Sequence, residues 1–121
     1  MLKEIHKEGR CEISAHLHPW VTPPFTENLE PRNTFPGNLP ADLEYEKLLK
    51  LKEKIADVFD FQPTIYRAGR YGVGPNTTNI LEKLGFEIDL SLCPPVDYSS
   101  SYGPDFSRCH TEPFWFGSNN K

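Results

Sequence analysis

His16 and His18 are the residues whose type and spacing most directly support chemistry in this chain. They end the stretch Glu12-Ile13-Ser14-Ala15-His16-Leu17-His18, which reads as a strand, and Pro19 and Trp20 follow at once. Side chains at i and i+2 of an extended backbone share one face. Both imidazoles therefore aim the same way at the point where the strand must stop. Neutral imidazole is the commonest protein ligand for zinc and similar first-row metals. Zinc as a rule takes at least three ligands from the protein, so the pair is a partial site that needs a donor from elsewhere. Trp20 and the prolines beyond it give that site an aromatic rim.

A second stretch with chemical potential is Arg67-Ala68-Gly69-Arg70-Tyr71-Gly72. It falls between a predicted strand and a predicted helix, and in parallel α/β folds sites form at the carboxyl ends of strands. Two guanidiniums and the backbone N–H groups of a glycine-rich turn can hold an anion, either a phosphate or a developing oxyanion. The glycine spacing fits neither the P-loop nor the dinucleotide fingerprint. Glycine's backbone freedom would by itself explain a strand-to-helix turn here. Cys109-His110 beside Glu112 contains ligand residue types, but an isolated Cys-His pair in a loop is ordinarily incidental.

The elements that must position these residues follow from the periodicity. Leu2 to Glu8 reads as a helix with Gly9 as its left-handed cap, leading into a strand from Cys11 to His16. Pro19 to Pro40 has no sustained period, and a loop beyond ~12–15 residues is usually functional or disordered. Trp20, Phe25 and Phe35 imply that it packs down as a lid or wall near the histidines. Asp42 is placed to cap a helix from Leu43 to Phe59, with Leu48, Leu51, Ile55 and Val58 as its buried stripe. Glu46, Lys47, Lys50 and Lys54 then form its solvated face. Thr64 to Arg67 reads as a second strand, Asn76 as the cap of a helix from Thr77 to Leu84 ended by Gly85, and Phe86 to Leu90 as a third strand. Phe114-Trp115-Phe116 is placed to begin one more. The alternation is that of parallel α/β units: about three parallel strands with flanking helices and long proline-rich loops. Such a sheet has two open edges, and both of its faces need cover.

Composition narrows the function classes. A chain of 121 residues fits one small domain, and 37% hydrophobic content implies a small core. The formal net charge of −4, with no basic run, argues against nucleic acid as a partner. No apolar stretch approaches the ~20 residues that cross a bilayer, and the amino terminus lacks the apolar region of a signal peptide. The three cysteines, Cys11, Cys93 and Cys109, are an odd number without zinc spacing. They are expected to be reduced thiols of a cytoplasmic protein. Composition leaves the oligomeric state open.

The stretch Gly9-Arg10-Cys11-Glu12-Ile13-Ser14-Ala15-His16, followed by His18-Pro19, resembles the metal-binding motif of the polysaccharide deacetylase (NodB-like carbohydrate esterase) family. That motif usually reads G-H-E-I-G-N-H-T-x-x-H-P. The version here is H-x-H-P-W, with the histidines two rather than four apart and Ser14 in place of a glycine. Arg67 to Gly72 resembles the family's R-P-P-Y-G motif spread by one residue, and Asp89 falls where a later motif places an aspartate at a strand end.

The resemblance implies that residues 1–121 form a single partial (β/α) barrel of the deacetylase type. It would lack the first strand, with its adjacent aspartates, and the carboxyl-terminal part with its L-x-H. The activity implied is metal-dependent removal of an acetyl group from an amino sugar or polysaccharide, with a divalent metal, zinc, on His16 and His18. Arg67 would orient the catalytic aspartate, Arg70 being the alternative counterpart, and the Tyr71 backbone N–H would help hold the oxyanion. Asp89 would be the remaining catalytic carboxylate, or else simply a partner for Arg67 or Arg70. Trp20 and Arg70 would contact the carbohydrate, and the chain alone is expected to be inactive. Two other readings fit the same residues: an amidohydrolase- or phosphoesterase-type metal site, and a non-catalytic module binding a glycan or a partner protein.

Overall fold

Gly9 ends the first helix as the sequence predicts. Helix α1 covers Leu2–Lys7, and Gly9 takes φ +71° with its N–H on the His6 carbonyl at 2.9 Å. The computed structural model describes residues 1–117. Strand β1 is Ala15–Leu17, shorter than the predicted Cys11 to His16 and running one residue past it. The reason lies in its neighbour. Its ladder with β2, Ile65–Ala68, extends only from Ala15 opposite Tyr66 to Leu17 opposite Ala68, so residues 11–14 have no strand to pair with.

Strand β3, Ile88–Asp89, lies on the far side of β2, and the sheet order is β1-β2-β3 with both pairings parallel. Helices α2, Ala41–Phe59, and α3, Thr77–Lys83, cover one face of this open sheet. Ala15, Leu17, Tyr66 and Ala68 point into that cover and are fully buried against Leu48, Ile80, Leu81, Leu84 and Phe86. The alternate residues His16, Arg67 and Ile88 are exposed on the other face. The architecture is thus α/β, with three parallel strands in one open sheet and flanking helices.

Helix α2 departs from expectation in two ways. It begins at Ala41 after Pro40, and Asp42 lies within the first turn with no side-chain cap bond. Its buried positions in the amino-terminal half are Leu43, Glu44, Lys47 and Leu48, while Val58 is 44% exposed. The positions i, i+1, i+4 and i+5 do form one helical face. Two of its members are charged, however, so a search for apolar periodicity assigns Lys47 to the solvent.

Residues 19–40 are organised by three short 3₁₀ turns, Pro19–Val21, Pro31–Thr34 and Pro36–Asn38, each opened by a proline whose fixed φ suits that position. Phe35 packs inward and Trp20 lies on His18, whereas Phe25 is 65% exposed. Phe114-Trp115-Phe116 adds no strand. Phe116 packs against the core cluster, and Phe114 and Trp115 are exposed. All three cysteines are free thiols. Among the described residues no helix is long and apolar enough to cross a membrane.

Candidate functional site

Strands β1 and β2 bring the two sequence-predicted stretches together. His16 and Arg67 are register partners on the uncovered face. The Nδ1 of His16 lies 2.9 Å from the Arg67 carbonyl oxygen. A carbonyl only accepts, so Nδ1 carries the hydrogen, and in the neutral ring Nε2 keeps its lone pair. A second partner on one ring nitrogen is how ligating histidines are commonly oriented.

The His18 ring stands edge-on to His16, with centroids 4.5 Å apart and planes at 89°. Trp20 also packs on the His18 ring, with centroids 4.6 Å apart. Burial, and then the neighbouring His16 charge, lower the His18 pKa, which favours the neutral imidazole that metal binding requires. The Nδ1 of His18 is buried without a hydrogen-bond partner. It rests against Gly69, where an added Cβ would come within 2.6 Å of it and collide with the Leu17 carbonyl oxygen. The first glycine of the turn is therefore required by close approach to the histidine strand.

The corner itself is the 3₁₀ turn Gly69–Tyr71. Arg70 and Tyr71 both have φ +56°, a left-handed conformation uncommon outside glycine. The two arginines diverge from this bend. Arg67 donates from Nη2 to the Tyr71 hydroxyl at 2.5 Å and lies over that ring at 4.7 Å. Arg70 turns away to donate to Thr34 Oγ1 at 2.5 Å and stack on Phe35 at 4.2 Å. Arg67 is thus the arginine that shares a face with the histidines. Tyr71 in turn stacks on Tyr98, at 5.8 Å and 13° between planes.

Asp89 is not brought to this corner. Its register partner is Tyr66, so it shares the helix-covered face, and two inter-strand steps of ~4.8 Å separate β3 from β1. Its carboxylate pairs with neither arginine. Oδ1 accepts from the Ser91 N–H at 2.9 Å and from the Ser91 hydroxyl, which itself accepts the Ala68 N–H at 2.8 Å. Burial raises its pKa against the opposing effect of the Ser91 bonds. Among the described residues, no three His, Cys, Asp or Glu side chains gather as a metal-binding group, so Cys109, His110 and Glu112 form none. Two surface hollows of about 380 and 390 Å³, along α2 and at its amino end, include neither histidine.

The periodicity missed the buried charges of α2. Glu44 accepts from Thr77 Oγ1 at 2.6 Å, and Thr77 Oγ1 accepts the Gly74 N–H at 2.9 Å. Gly74 lies so close to the Gly37 backbone that a Cβ on either would collide with the other. Helix α2 thereby fixes the loop that follows the arginine corner. The one sequence signal was that Glu44 and Lys47 lie on the same helical face as Leu43 and Leu48.

No family model matches the chain, and no curated protein or solved structure matches it either.

Proposed function

We propose that this chain carries the histidine half of a metal-dependent hydrolase site, of the polysaccharide deacetylase type its motifs resemble, acting on acetylated amino sugars or polysaccharides. The observation that carries the reading is the pair of packed imidazoles at the end of β1, with the His16 Nδ1–H held on the Arg67 carbonyl at 2.9 Å. In (β/α) barrels, helices cover the outside of the strands and the chemistry lies at their carboxyl ends. A partial barrel would place His16 and Arg67, on the uncovered face, toward the interior.

The donors present fit a divalent ion such as zinc in part, His16 through Nε2 and His18; among the described residues no third His, Cys, Asp or Glu gathers with them. When bound, such an ion polarises the acetyl carbonyl and acidifies a coordinated water. The chain's own groups have complementary tasks. The Arg67 carbonyl keeps the His16 ring in one tautomer. The Tyr71 hydroxyl already accepts from Arg67, so its own hydrogen is free to donate to a substrate oxygen, and the adjacent guanidinium favours negative charge there. The Tyr71 backbone N–H has the oxyanion role that the resemblance assigns to it. Trp20, about 38% exposed, offers a flat apolar face to a sugar ring.

Cobalt(II) titration of the Trp115→Phe chain, followed by visible absorption and by Trp20 quenching, tests the metal assignment. One ion should bind, be displaced by zinc, and be weakened at least tenfold by His16→Ala or His18→Ala. Binding unaffected by both substitutions would overturn the assignment. The carbohydrate part is tested by NMR with N-acetylated chitin oligosaccharides. Shifts at Trp20 and Tyr71 are expected, and no change at millimolar sugar would refute it. The zinc-loaded chain is expected to release no acetate.

A further inference from the structure

Lys47 has a fully buried side chain in the middle of a polar knot. Its Nζ donates to the carbonyls of Pro19 at 3.0 Å, Thr22 at 2.6 Å and Pro24 at 2.6 Å, and pairs with Glu27 Oε1 at 2.9 Å. Glu27 is itself only 7% exposed, and its other carboxylate oxygen has no partner. A buried ammonium is stable only when paired and fully hydrogen-bonded, and this one has acceptors for all three of its hydrogens.

The sequence explains why a lysine is needed. Pro19, Pro23 and Pro24 have no N–H, so this segment cannot form a regular ladder, and its inward-facing carbonyls need an outside donor. Lys47 supplies three hydrogens from one point. The same segment begins at His18. The His18 carbonyl accepts the Thr22 hydroxyl at 3.0 Å and the Val21 N–H at 3.3 Å, so the turn carrying Trp20 is tied to the ring of carbonyls around the ammonium.

We propose that Lys47 is a positioning residue for the histidine corner: its ammonium holds the His18–Pro24 segment on α2 and so keeps the His18 ring packed against His16 and Trp20. The consequence for metal affinity rests on the reading of His16 and His18 as metal donors. The geometric claim does not.

The test uses a Trp115→Phe background, in which Trp20 is the only remaining tryptophan. Proton NOEs between the Trp20 and His18 rings are measured without metal, and cobalt(II) affinity separately. Lys47→Met should keep the Leu48 core signals, lose the ring NOEs and bind cobalt at least tenfold more weakly. In Lys47→Ala, added propylammonium should restore both, and propanol neither. Lys47→Met with NOEs intact and cobalt affinity within twofold, even at a lower melting temperature, would overturn the proposal. Should Lys47→Met fail to fold, Lys47→Ala folded in propylammonium decides. Ring NOEs that persist once the amine is dialysed away would equally refute the positioning role. If the parent chain binds no cobalt, the metal reading falls, and the NOEs alone still judge Lys47.

Discussion

The His16 imidazole gives its Nδ1 hydrogen to the backbone of Arg67, while the Arg67 side chain turns to the Tyr71 hydroxyl. One residue of β2 thus touches both halves of the candidate site, the ring by its carbonyl and the tyrosine by its guanidinium. The relationship depends on the spacing of β1 and β2 and on the bend that begins one residue beyond β2.

Gly69 is where that bend meets the histidine strand, and Gly69→Ala is the sharpest probe of it. Its φ lies outside the left-handed range, so the cost comes from collision with the Leu17 carbonyl oxygen and the His18 ring. Overpacking of this kind costs about 2 kcal/mol. Urea denaturation should show a loss of that size, and cobalt(II) affinity should fall with it. A variant as stable as the parent would mean that β1 and the corner are further apart than described.

Much of this arrangement was legible in the sequence, because it depends on local periods. Two-residue alternation put His16 and His18 on one side, and Gly9 and Gly85 marked helix ends where φ is +71° and +75°. What was not legible depends on long-range partners. Lys47 looks like surface until the loop some 25 residues earlier wraps around it, and Glu44 until Thr77 arrives from α3. The face taken by Asp89 depends on register with Tyr66, which no local pattern in residues 86–90 specifies.

Glu44 makes stability depend on pH. Burial pushes its carboxyl from an ordinary 4.5 up to about 7, opposed by the Thr77 hydrogen bond. The groups electrostatically linked to it are the buried Tyr66 phenol and, through that phenol, Asp89. Between the unfolded and folded values the folded chain holds the extra proton. Stability therefore falls as pH rises from about 4.5 to about 7, then levels off. The full difference is about 3 kcal/mol. Glu44→Gln keeps an acceptor for Thr77 and cannot ionise. Urea midpoints of parent and variant should converge near pH 4.5 and separate in the variant's favour by pH 7.5. Parallel curves would show that Glu44 titrates alike in the folded and unfolded chain.

Ser91 is a second link that no motif marked. Its buried hydroxyl accepts the Ala68 N–H at 2.8 Å and donates to Asp89. Ser91→Ala leaves a buried N–H unpaired just before Gly69, a loss of about 2 kcal/mol. Hydrogen exchange should show it locally, with the Ala68 amide losing its protection first. An unchanged exchange rate at Ala68 would mean that the hydroxyl is dispensable.

Tyr71→Phe separates binding from folding. The hydroxyl it removes is bonded to the Arg67 guanidinium near the protein surface, and the ring remains free to stack on Tyr98. Stability should change by less than about 0.5 kcal/mol, as at most exposed positions. If the hydroxyl donates to an acetyl oxygen, affinity for N-acetylated chitin oligosaccharides should drop about fivefold, the size of one ordinary hydrogen bond. Affinity for the de-N-acetylated oligomers should stay the same. An equal loss for both sugars would show that the hydroxyl reads the sugar ring rather than the acetyl group.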